Sequence, residues 1–120
     1  MFKVSVKASF LATHAITIDG VEEDPHEHDW KVVASVRGDE LDNDDLLVDF
    51  LELQQSLEDA IAPLRNTNLN RCPELRGNNP TAESVAWYVG DRLQNSIQSP
   101  ATLFSVQVTE APNCIATYQP

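Results

Sequence analysis

Polar and apolar residues alternate from position 2 to position 10. Phe2, Val4, Val6, Ala8 and Phe10 fall on one face, and Lys3, Ser5, Lys7 and Ser9 on the other. A period of two marks a strand buried on one side only. Residues 28–37 repeat the pattern, with Trp30, Val32, Ala34 and Val36 on the apolar face. An acidic connection containing Gly20 and Pro25 joins the two, which predicts an antiparallel pair with a long loop. The period then changes. Asp49 is suited to cap a helix, with Glu52 three residues on as its reciprocal partner. Phe50, Leu53, Leu57, Ile61 and Leu64 follow at helical spacing. A second helix is predicted from Asn79-Pro80-Thr81, with Pro80 in its first turn and Val85, Val89, Leu93 and Ile97 as its core stripe. Strands near 102–110 and 114–118 close the order ββααββ. This is an α+β plan: an antiparallel four-stranded sheet with two helices on one face.

Composition narrows the picture. A chain of 120 residues makes one domain, 1–120, with one modest core. No apolar run approaches the roughly 20 residues of a membrane span, and the first residues lack the apolar stretch of a secretory signal. Cys72 and Cys114 are too few for a disulfide framework, which points to a reducing compartment and a cytoplasmic protein. The net charge of −11 argues against a nucleic-acid partner. Neither nucleic acid nor membrane is expected to bind. The same charge concentrates cations, metals included, near the surface.

The candidate chemistry lies in a short stretch. All three histidines, His14, His26 and His28, fall within fifteen residues. Residues two apart on a strand share a face, so His26 and His28 can aim at one point and a third imidazole from the neighbouring strand can join them. Three neutral imidazoles with one open position suit a catalytic Zn2+ ion. Strand phase supports the grouping. His14 has the parity of Phe10, His26 and His28 have that of Trp30, and Phe104, Val106 and Val108 lead in the same way to Glu110. A carboxylate there is either paired at the margin of the apolar face or solvated beyond the strand's end.

Taken jointly, His14, His26-Glu27-His28, Asp49-Phe50, Leu69-Asn70, Asn79-Pro80-Thr81-x-Glu83 and Thr109-Glu110 resemble the 6-pyruvoyl-tetrahydropterin synthase family. That family includes the 6-carboxy-tetrahydropterin synthases of queuosine biosynthesis. The resemblance covers nearly the whole chain. It implies a tunnelling fold and a homo-oligomer, a trimer or a dimer of trimers. It also implies zinc on His14, His26 and His28, and a pterin held by Glu110 with Thr81 and Glu83 nearby. The reaction it implies is a lyase or synthase step on dihydroneopterin triphosphate or a related pterin.

Two parts of the family pattern differ here. The cysteine that usually precedes the His-x-His pair as general base is missing from Val21-Glu22-Glu23-Asp24-Pro25. The motif that supplies an Asp-His dyad reads Leu64-Arg65-Asn66-Thr67-Asn68-Leu69-Asn70, and neither Arg65 nor Asn66 transfers a proton. A subgroup of the family has glutamate in place of the cysteine and releases 6-hydroxymethyl-dihydropterin, a folate precursor. By that resemblance Glu22 is the first candidate base and Glu23 the second. The alternative is a paralogue that binds zinc and a pterin-like or purine-like ligand without the standard chemistry. Cys72 has no evident base beside it, Cys114 is expected to pack as a small apolar residue, and Arg65 is expected at the surface.

Overall fold

The computed structural model describes residues 1–75 and 79–120. Its sheet is built on two long strands, β1 (Phe2–His14) and β4 (His26–Gly38), paired antiparallel from Phe2 opposite Gly38 to His14 opposite His26. Both run further than the clean alternation suggested, and the added length carries the histidines. The acidic connection is no open loop. Two short strands, β2 (Thr17–Ile18) and β3 (Val21–Glu22), form a hairpin there. Asp19 and Gly20 supply its two-residue turn at φ 52° and 79°. An Asp-Gly pair takes such a left-handed turn with little strain, and it is a hairpin signal in its own right.

Helix α1 (Phe50–Ile61) follows, capped by Asp49 Oδ1, which accepts the Leu51 N–H at 2.8 Å. Leu53, Leu57 and Ile61 are buried as the helical spacing predicts, but Phe50 is 55% exposed. It stands in the first turn, ahead of the point where the helix meets the sheet. A two-residue strand, β5 (Thr67–Asn68), runs parallel to β1 at its edge. Helix α2 (Ala82–Gln94) begins after Thr81, whose hydroxyl accepts the Ser84 N–H, so Pro80 lies just outside the helix rather than in its first turn. Val85, Val89 and Leu93 are buried, whereas Ile97 packs on the core from beyond the helix end. Strands β6 (Thr102–Ala111) and β7 (Cys114–Tyr118) complete the sheet in the order β5-β1-β4-β6-β7.

The sheet is therefore mixed and five-stranded, where four antiparallel strands were expected. The four long strands keep the expected antiparallel pairing, and β5 is too short for a period to reveal. Helix α1 packs on β1, α2 packs on β6 and β7, and the helices touch each other over a shared core. Trp30, Val32, Leu57, Ile61, Val85 and Val106 are fully buried in it. Among the described residues no helix is long and apolar enough to cross a membrane.

Two irregularities in β6 matter. Ser35 pairs with Ser105 but Val36 pairs with Leu103, which leaves Phe104 as a bulge. Leu103 takes the inner position predicted for Phe104. The Phe104 ring instead lies near the Lys3 ammonium and the Arg37 guanidinium, at 5.5 and 5.2 Å. The second irregularity falls between Thr109 and Ala111. It places Glu110 outside the ladder, and a bulge of this kind re-aims a side chain.

Candidate metal centre and the adjoining cavity

His14 stands opposite His26 in the β1–β4 ladder, and His28 is the next residue of β4 on the same face. Cross-strand and diagonal neighbours on one face lie within side-chain reach. The three rings gather accordingly, with centroids 4.5–5.3 Å apart, and one ligand nitrogen from each lies within 4.8 Å of the others. His14 is buried, while His26 and His28 are half-buried and open to one side. Trp30 closes the floor beneath them. Its ring centroid is 4.9 Å from that of His14, and its indole N–H donates to Ala12 O at 3.1 Å.

Hydrogen bonding fixes how two of the rings are protonated. His14 Nδ1 lies 2.7 Å from Pro80 O and His26 Nδ1 lies 3.0 Å from Asp24 O. A carbonyl only accepts, so in each ring Nδ1 carries the hydrogen and Nε2 keeps a lone pair when the ring is neutral. The His14 Nε2 lone pair has no hydrogen bond, although it is buried. Glu110 Oε1 is 3.1 Å from it, but with the hydrogen on Nδ1 both atoms are acceptors. Two acceptors thus face each other across a contact that a cation between them would satisfy. Neutral imidazoles tethered through their second nitrogen are the donor set that zinc takes, so these residues fit the metal.

Burial, then the neighbouring His26, holds the His28 pKa below the ordinary 6.5, with Glu110 and Glu23 opposing in part. Protons compete with a metal for imidazole nitrogen. The lowered His28 pKa therefore favours retention of a metal on these rings as the pH falls. Equilibrium dialysis across pH 5–8 tests this, and release already complete at 6.5 would contradict it. The unfolded chain protonates His28 first, so acid in this range also works against the metal-free fold.

The segment leaving His14 is held in an unusual way. Asn70 Oδ1 accepts the Ala15 N–H at 2.8 Å while its Nδ2 donates to Ala15 O at 2.7 Å. Asn79 does the same at Thr17, at 3.0 and 2.8 Å. Each amide side chain replaces one rung of a strand ladder. Asn70→Asp keeps the acceptor but turns a carboxylate oxygen against the Ala15 carbonyl. The expected cost is about 1–3 kcal/mol of stability, read from the denaturant midpoint; no shift would dismiss the clamp.

Beside the triad lies a cavity of about 740 Å³, lined by Ile16, Ile18, Asn79, Thr81, Ala82 and Glu83 on one side and by Glu110 and residues 113–117 on the other. Its size is that of a small-molecule site. Glu110, Thr81 and Glu83, named from the sequence as ligand-binding candidates, all border it. Cys114 borders it too and is exposed, so it does not pack as an apolar residue. Parity in a short terminal strand could not reveal that.

The two candidate bases separate. Glu23 Oε1 lies 3.6 Å from His26 Nε2 and accepts the Ile16 N–H at 3.0 Å. Glu22 is exposed on β3, opposite Thr17. The remaining motif residues have structural partners. Arg65 bonds Glu58 at 2.7 Å and Ser9 O at 3.2 Å, and Asn66 takes a left-handed φ of 57° while its N–H donates to Leu11 O. Cys72 is buried 3.0 Å from Glu74, and burial followed by that hydrogen bond raises its pKa, which makes it a poor nucleophile.

Residues 3–120 match the family model for 6-pyruvoyl tetrahydropterin synthase. A dihydroneopterin monophosphate aldolase from Pyrococcus furiosus is 27% identical over 108 residues, covering 90% of this chain and 89% of the relative. A 6-pyruvoyl tetrahydrobiopterin synthase from Drosophila melanogaster is 29% identical over 96 residues, covering 78% of this chain; the match spans 57% of the fly protein. A solved Plasmodium vivax 6-pyruvoyltetrahydropterin synthase, altered at a catalytic glutamate, shares the fold at a TM-score of 0.80 and 18% identity, covering 99% of this chain and 97% of the other. The chain belongs to the 6-pyruvoyl tetrahydropterin synthase family.

Proposed function

We propose that the chain is a zinc-dependent pterin synthase or lyase, acting on the side chain of dihydroneopterin triphosphate or a related dihydropterin. The observation that carries this reading is the unbonded His14 Nε2 facing Glu110, at the border between the histidine triad and the cavity. Glu110 belongs to both halves of the site. Its carboxylate is suited to take two parallel hydrogen bonds from the guanidine-like edge of a pterin, with Thr81 and Glu83 beside it. Zinc, when bound, would polarise oxygens of the substrate side chain and acidify the adjacent C–H.

Glu23, the second candidate from the sequence, is then the better candidate to accept that proton. Its carboxylate is fixed by the Ile16 N–H and stands beside His26. The catalytic glutamate named for the Plasmodium vivax synthase supports a carboxylate in this role, and Glu22 is the other candidate. A trimer or dimer of trimers in the cytoplasm accords with the family.

A second reading has its own support. The positions of the missing dyad are committed elsewhere, Arg65 to Glu58 and Asn66 to a tight turn. A protein that binds zinc and a pterin-like or purine-like ligand without standard turnover accords with that. Incubating zinc-loaded protein with dihydroneopterin and its mono- and triphosphate, then separating the products, decides between them. Conversion to a pyruvoyl, carboxy or hydroxymethyl pterin supports the enzyme. Zinc at one per chain with no conversion supports the binding protein. In the enzyme, Glu23→Gln should lower turnover by about 10²–10⁴-fold with zinc retained. Glu110→Gln should weaken pterin binding by about tenfold or more, because it puts a donor where the pterin edge donates. Unchanged affinity in that variant would remove Glu110 from the pterin site.

A further inference from the structure

We propose that Glu110 serves the two halves of the site in turn: its carboxylate is a fourth ligand to the metal in the free protein and leaves it when a pterin binds. The inference rests on the pterin reading above and adds how metal and ligand are coupled.

The position of Glu110 comes from β6. Thr109 pairs with Lys31 of β4, so the next residue stands at the histidine end of the sheet, and the irregularity there takes it out of the ladder. Its Oε1 lies 3.1 Å from His14 Nε2. Nitrogen and carboxylate ligands bind zinc at about 2.0–2.2 Å, so two of them at a tetrahedral angle stand about 3.4 Å apart. The observed contact is within a few tenths of an ångström of that spacing. The His14 ring is already set for it, because its Nδ1 is held by Pro80 O.

Glu23 is the other carboxylate near the triad, and it is worse placed. Its Oε1 is 3.6 Å from His26 Nε2, and the same oxygen already accepts the Ile16 N–H. It is also 39% exposed, against 24% for Glu110. Glu110 and the three histidines belong to one chain, so the exchange needs no group from a neighbouring subunit.

The two roles oppose each other. Two parallel hydrogen bonds from a pterin edge engage both carboxylate oxygens and fix the plane of the group toward the cavity. A bound cation draws charge from the same oxygens and holds that plane toward the histidines. Four protein ligands close a zinc site, whereas a catalytic one keeps a position open. The metal is then closed until a ligand with the donor edge draws Glu110 away, and a side chain without that ring leaves it closed.

The test titrates wild-type protein, metal-free and zinc-loaded, with pterin itself, the ring without a side chain, so that no side-chain oxygen bears on the metal. Pterin should bind about tenfold tighter to the metal-free protein, and Glu110→Gln should bring the two affinities within about twofold of each other. In protein loaded with cobalt instead of zinc, saturating pterin should shift the visible absorption of the wild type and leave that of Glu110→Gln unmoved. Equal or tighter pterin binding to the zinc form of the wild type overturns the exchange and leaves the pterin reading standing. So does a cobalt band that bound pterin does not move, or one that moves equally in the variant. Binding of pterin to neither form overturns both.

Discussion

His28→Ala should end stoichiometric zinc binding while the metal-free protein unfolds at nearly its original denaturant concentration. The two halves of that result have separate causes. His28 is half-buried at the open side of the triad, and its depressed pKa shows that its surroundings disfavour its charged form. Its removal therefore opens no enclosed cavity. The metal loses much more. Residues that merely orient a ligand are worth about 10–100-fold in affinity, so loss of the ligand itself should exceed a hundredfold. Zinc per chain after dialysis, measured beside the unfolding midpoint, reads both quantities. Full zinc content in the variant would mean that the triad is not the metal site.

Trp30→Ala should have the largest effect on stability. The side chain is fully buried, stacks on Phe10 with ring centroids 6.0 Å apart, and floors the histidine triad. Truncating a buried aromatic costs about 3–5 kcal/mol, a large part of the 5–15 kcal/mol that holds a typical domain together. Trp30→Phe separates packing from hydrogen bonding. It keeps a ring in place but leaves Ala12 O without the indole donor, for about 1–3 kcal/mol. Denaturant midpoints of the two variants should fall in that order. A shift below about 1 kcal/mol for alanine would show that Trp30 is not a principal support of the core.

Much of this was legible in the chain. Alternation gives β1 and β4, and continuing their parity four residues beyond Phe10 reaches His14, which the structure sets opposite His26. Helical spacing gives both helices. What the pattern hides has particular causes. Strand β5 is two residues long, too short for any period. The Phe104 bulge exchanges inner and outer positions locally, and alternation in the sequence carries no mark of an inserted residue. Glu22 and Glu23 are adjacent acids in an acidic run, and only the hairpin's geometry turns Glu23 toward His26. The amide clamps at Ala15 and Thr17 join residues more than fifty positions apart, which no local reading detects.

The three histidines sit on one strand pair, while the groups around the cavity come from far along the chain, at residues 79–83 and 110–117. Closing a chain loop costs more entropy the longer the loop, and contacts distant in sequence form late for that reason. The order of assembly follows. The β1–β4 pair closes through residues 15–25 and brings the three histidines together before α2 and β6 arrive. The histidine half of the site is thus local and early, and the cavity half is non-local and late. A metal taken up during folding would meet its three ligands first and would hold the β1–β4 pair together while the cavity is still being built.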